Sequence, residues 1–110
     1  MSYNKNMNTI SEDTSLKMVG LELMFLTPEK CSNSDGITAV ELAKLVNLPV
    51  EIVKKKLNIL KEKNIVRVKG MNPKYWKFDE YNFHRLDDDD EIFYLLCNFE
   101  DVDFDKYFTY

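Results

Sequence analysis

The chain has 110 residues, 45% hydrophobic and 31% charged, with a formal net charge of −4. That length suits one domain with a single core, and the composition argues against a chain disordered throughout. The charge is uneven: residues 1–36 hold three Lys against five acids, residues 37–78 hold ten Lys and Arg against three Glu (net +7), and residues 79–110 hold two basic residues against eleven acids (net −9).

In chain order, residues 1–13 lack apolar periodicity and are expected to fray. Thr14 or Ser15 is suited to cap a helix running to about Leu26, where Thr27-Pro28 stops it. This helix is apolar on two sides. At a hundred degrees per residue Leu16, Val19, Leu23 and Met24 share one face, and Met18, Leu21 and Phe25 the other, so it needs two partners to pack against. "TPEKCSNSDG" reads as a loop. "TAVE" then has the capping-box pattern, Thr38 bonding forward and Glu41 reaching back, for a helix over 39–46 that buries Val40, Leu42, Ala43 and Val46. "NLP" makes a tight turn, with Asn47 suited to a left-handed backbone and Pro49 to a first helical position. A longer helix follows over about 49–63. "IVRVK" and "YWKF", separated by a turn from Gly70 to Lys74, predict a β-hairpin.

Helix, short helix, tight turn, longer helix and hairpin resemble the winged helix-turn-helix family. "ITAVELAKLVNLPVEIVKKKLNILKEKNIVRVKGMNPKYWKF" carries the resemblance through patterned hydrophobicity and turn placement, and with the first helix it covers residues 14–80. The expected fold is therefore mainly α with a small β-hairpin. The resemblance implies that the helix after the turn enters the DNA major groove while the hairpin, or wing, contacts the backbone or minor groove. On a helical wheel Val53, Leu57 and Leu60 centre the apolar arc, while Glu51, Lys54, Lys55, Asn58, Lys61 and Glu62 occupy the other half. Lys56 falls back among the apolar positions, its stem snorkelling along the core edge. Lys54 and Lys55 suit phosphates and Asn58 a base edge, with Val50 facing the groove and Lys61 on its flank. Arg67, Lys69, Lys74 and Lys77 extend the basic surface along the hairpin. An ordinary solvated face of mixed charge is the plainer reading of the same helix, and Glu51 favours it.

"NPKYWKF" also resembles the wing of Z-alpha domains, with Pro73 and Trp76 in the matching places. That family's helix carries an asparagine and a tyrosine one turn apart, where this chain has Lys54 and Asn58. Trp76 is expected to pack under the wing as a core aromatic.

Residues 81–110 form the acidic end. Asp89 or Asp90 is a strong helix cap, and Ile92, Phe93, Leu95, Leu96 and Phe99 make a broad apolar stripe that also carries Cys97. This helix can cover the second face of the first helix within one subunit or across a homodimer, as terminal helices do in MarR-like and ArsR-like regulators. The dimer is the expectation, because two half-sites give a small domain enough contacts for specific DNA. Met18, Leu21, Phe25, Ile92, Leu95, Leu96 and Phe99 are then the interface residues. "EDVDFDKYFTY" reads as a solvated amphipathic tail, a docking peptide for a basic protein partner, or an internal competitor for the lysine face.

No catalytic constellation is present. His84 is the sole histidine and reads as an exposed linker residue. There is no G-x-S-x-G, and three glycines make no phosphate loop. Residues 87–91 lack the alternating spacing and glycine of a calcium site. Cys31 and Cys97 form neither a zinc motif nor a disulfide framework, and no segment reads as a signal peptide or membrane span. The expectation is an intracellular, non-enzymatic transcriptional regulator without metal or cofactor, binding double-stranded DNA in the cytoplasm or nucleoid. The alternative is a winged-helix protein-interaction module with little affinity for DNA.

Overall fold

A computed structural model of the chain describes residues 12–31 and 34–98. Its first helix, α1, spans Glu12–Met24. It is already helical ahead of Thr14 and Ser15, so those residues lie within it rather than capping it. It ends as expected before Thr27, whose extended backbone leads into a single 3-10 turn at Pro28–Lys30. Leu16, Val19, Leu21 and Leu23 are buried together, which confirms a helix needing cover on two sides.

The capping box at the next helix is complete. The Glu41 amide donates to Thr38 Oγ1 at 3.1 Å, and the Thr38 amide donates to Glu41 Oε1 at 3.2 Å. The box starts α2 at Ala39, and Asn47 closes the helix after Val46 in the left-handed conformation, φ 59°. The helix is rotated from the expected setting. Ala39 is buried and Val40 is 54% exposed, because the cap fixes the first turn with Ala39 rather than Val40 toward the core. α3 spans Val50–Glu62. Pro49 stays extended at ψ 143° as its cap, one residue earlier than its expected place in the first turn. Val53, Leu57 and Leu60 are fully buried.

Asn64, with φ 64°, turns the chain into an antiparallel hairpin of β1 (Val66–Lys69) and β2 (Tyr75–Phe78). Val66 pairs with Phe78 and Lys69 with Tyr75. A third short contact joins the hairpin to the body: the Ile37 amide donates to the Trp76 carbonyl at 2.9 Å, and the Trp76 amide to the Ile37 carbonyl at 2.7 Å. The fold is thus mainly α with a small β-hairpin. Trp76 is buried beneath the hairpin, as expected.

Two helices follow. α4 (Glu80–Phe83) has no counterpart in the sequence reading. It is one turn long, too short for a periodicity, and is started by Asp79, whose carboxylate accepts from the Asn82 amide at 3.0 Å. His84 ends it, with its side chain exposed as expected. α5 spans Glu91–Cys97 and is capped by Asp90, whose Oδ1 accepts from the amides of Ile92 and Phe93.

The second face of α1 is covered within the same subunit. Leu96 of α5 lies so close to Gly20 that a β-carbon there would stand 2.6 Å from its Cδ2. Leu21, Ile92 and Leu96 are core residues within the single subunit, and Met18, Phe25 and Leu95 pack half-buried against the same core. Phe99 lies outside the described residues, as do residues 1–11 of the stretch 1–13 expected to fray and the tail from Glu100 onward; Glu12 and Asp13, by contrast, are already helical in α1. Cys97, expected in the core, is exposed at the end of α5. Phe83 links the late elements to the hairpin, its ring centroid 5.3 Å from that of Phe78 and 5.1 Å from that of Phe93. No described helix is long and apolar enough to cross a membrane.

Asp79 and Asp90 make stability depend on acid. Both carboxyls are held below their ordinary range, Asp79 by the Asn82 amide and then Arg67, and Asp90 by Lys63 and then the Phe93 and Ile92 amides. A depressed folded pKa adds stability above the unfolded value of 3.8, and that stability is lost as pH falls through the folded values. Urea midpoints should fall as pH drops through that window. Asp79→Ala should lower the midpoint at neutral pH by the worth of a helix cap, about 1 kcal/mol, and make the acid fall shallower.

Candidate nucleic-acid interface

The outward half of α3 presents the residues that the wheel assigns to it. Lys54, Lys55, Asn58 and Lys61 are exposed beside Glu51 and Glu62, whereas Lys56 is buried at 5% exposure. Val50 is half-buried against the core rather than wholly turned to the groove, because the first turn of α3 leans on the rest of the domain.

The hairpin divides its cations. Strand alternation puts Arg67 and Lys77 directly opposite one another, both exposed, in the register pair next to the one holding Val68 and Trp76. Arg67 Nε donates to Asp79 Oδ2 at 2.9 Å, and Lys69 Nζ to Asp35 Oδ1 at 3.2 Å. At the end of α3, Lys63 Nζ donates to Asp90 Oδ2 at 2.7 Å, which pushes the lysine pKa up. Three of the ten cations in the basic segment are thus matched by acids from the flanking segments. Among the described residues, Lys54, Lys55, Lys61, Lys74 and Lys77 form no ion pair.

One groove of about 410 Å³ collects part of this set. α3 supplies Lys54 and Asn58, and the turn between β1 and β2 supplies Met71, Asn72, Pro73 and Lys74. The start of α2 supplies Thr38, Ala39 and Val40, and Trp76 lies beneath. The turn carries Gly70 at φ 86°, where a β-carbon would meet the Pro73 carbonyl at 2.8 Å, and a cis Asn72–Pro73 bond. Among the described residues, no acidic side chain lines this groove. It brings together Lys54, Asn58 and Lys74 of the expected residues. Lys55 and Lys61 stand outside it on α3, and Arg67 and Lys69 are engaged by aspartates. Val40 and Met71, 54% and 86% exposed, were not anticipated there. Met71 sits in the segment already read as a turn, but an apolar residue in a turn gives no signal of its own. Val40 was hidden by its helical periodicity.

A second cavity of about 550 Å³ lies between the end of α1 and β2, with Leu23, Met24 and Phe78 as apolar walls and Cys31, Lys77 and Glu80 as polar ones. Lys77 therefore faces a different recess from Lys74. Burial, followed by Glu41, pushes the Cys31 thiol up, against a smaller opposing pull from Lys77. Its thiolate is disfavoured, so the cavity has no activated nucleophile in Cys31. Partial desolvation at the end of α5 likewise raises the thiol of Cys97, although its side chain is largely exposed. No group of three or more His, Cys, Asp or Glu among the described residues is placed to hold a metal ion.

Phosphates carry most nucleic-acid affinity, and cations position the strand while amide side chains read base edges. A groove lined by lysines from α3 and from the hairpin turn, an asparagine amide and the buried Trp76 has the elements of both tasks. No family model matches this chain, and no curated protein or solved structure matches it.

Proposed function

We propose that the chain is a winged helix-turn-helix protein that binds double-stranded DNA, with α3 in the major groove and the turn of the hairpin on the backbone, and that it serves as a transcriptional regulator. The observation carrying this reading is the convergence of Lys54 and Asn58 from α3 with Lys74 from the hairpin turn along one groove that, among the described residues, no carboxylate lines. The element order, in which α2 and α3 are joined by the Asn47 turn and followed by a hairpin, supports the winged-helix assignment. Because α5 covers α1 within one subunit, this reading does not call for a second copy.

Fluorescence anisotropy of a labelled mixed-sequence duplex, titrated at low and then moderate salt, tests it. The expected result is binding at low salt that weakens as salt rises, with a log–log slope near −0.9 for each phosphate contacted. Absence of binding at low salt overturns the reading.

A protein-interaction module is the second reading. It is favoured by the mixing of Glu51 and Glu62 with the lysines of α3 and by the pairing of Lys63, Arg67 and Lys69 with aspartates. It predicts a tight protein partner and no affinity for the duplex.

A further inference from the structure

Val40 is the anomaly of the groove. Its neighbours in α2, Ala39, Leu42, Ala43 and Val46, are all buried, yet Val40 is exposed and lines the groove together with Lys54 and Lys74. An apolar side chain gains nothing by lying against a phosphate or a polar base edge, since contact there strips water from polar groups without replacing their hydrogen bonds. One group in the major groove of DNA is apolar, the 5-methyl of thymine. Asn58 lines the same groove with its side chain exposed, and that amide makes no hydrogen bond among the described residues. An asparagine amide pairs in two-pronged fashion with the N6 and N7 atoms of adenine. Among the described residues no carboxylate, which would accept from cytosine N4, lines the groove; its two lysines can take either a phosphate or guanine O6 and N7, so a G·C-rich duplex is the comparison that decides between those roles.

We propose that this groove is selective for A·T base pairs, Val40 seating on the thymine methyl and Asn58 on the adenine edge, with Lys54 and Lys74 holding the adjoining phosphates. The inference rests on the DNA-binding reading above and adds to it the class of sequence preferred and the residues that select it.

The test is an anisotropy titration at low salt with three duplexes of equal length: one rich in A·T pairs, the same sequence with every thymine replaced by uracil, and one rich in G·C pairs. Uracil differs from thymine by the methyl alone. The thymine duplex is expected to bind most tightly, and uracil to weaken binding roughly fourfold for each methyl contacted, the worth of one buried methyl group. Val40→Ala, at an exposed helical position where alanine is well tolerated, keeps one methyl and is expected to narrow the gap between the thymine and uracil duplexes while keeping the wild-type circular dichroism. Equal affinity of the wild-type chain for thymine and uracil duplexes overturns the proposal, and so does a thymine preference that Val40→Ala leaves undiminished. In both cases the chain still binds DNA and the broader reading stands. Failure to bind any of the three duplexes overturns the broader reading and this one with it.

Discussion

Gly36→Ala should destabilise the chain by about 4 kcal/mol, in the range reserved for backbone strain compounded by a core clash. Gly36 has φ +131°, a conformation that side chains rarely adopt, and a β-carbon there would stand 2.2 Å from the Trp76 carbonyl oxygen and 2.7 Å from its carbon. The obstacle is backbone, so no rotamer change relieves it. That carbonyl also accepts the Ile37 amide, so relief by movement would break the bridge that fastens the hairpin. Gly20→Ala is the useful contrast. Its clash is with Leu96 Cδ2 at 2.6 Å, the far end of a flexible side chain, and its cost should be much smaller. Urea unfolding of the two variants, compared with wild type, separates them. A Gly36→Ala midpoint no lower than that of Gly20→Ala would show that the Ile37–Trp76 link contributes little.

The largest functional effect is expected from Lys54→Ala, Lys55→Ala and Lys74→Ala combined. These side chains hold no ion pair among the described residues, so their removal should leave the fold intact. Each lost phosphate contact reduces the salt slope by about 0.9, so the triple variant should show a slope shallower by about 2.7 and weaker binding to every sequence alike. Arg67→Ala is the control. Its guanidinium is already committed to Asp79, and its loss should disturb folding slightly and DNA binding little. If Arg67→Ala weakens binding as much as the triple change, the DNA surface lies on the other side of the hairpin.

Much of the fold was legible because it is written in local signals. The capping box at Thr38 and Glu41, the left-handed Asn47 and the alternating strands around Gly70 each act over a few residues, and each is realised. The two-sided α1 was legible from its wheel, but not the partner that covers it. That depends on Gly20 admitting Leu96, a contact between residues far apart in the chain. α4 was missed because one turn carries no periodicity, although Asp79 as a cap three residues before Asn82 was there to be read. The site was half legible. The wheel of α3 separated Lys54, Lys55 and Asn58 from buried Lys56, but summing charge by segment treated Arg67, Lys69 and Lys63 as free. Aspartates 79, 35 and 90, all counted in other segments, engage them. Val40 shows the same limit, since its exposure follows from how the cap orients the first turn.

The ring of Phe83, set between Phe78 and Phe93, bears on how this chain can be divided. The residues that would touch DNA end at Lys77, but the rear of β2 rests on aromatic groups supplied by α4 and α5, and the outer face of α1 rests on Leu96. A fragment cut after the hairpin would keep every contact residue and lose the backing that holds them in place. The smallest piece able to fold is therefore longer than the segment that carries the proposed contact residues. The acidic segment that opposes the basic one in sign is, over α4 and α5, part of its scaffold.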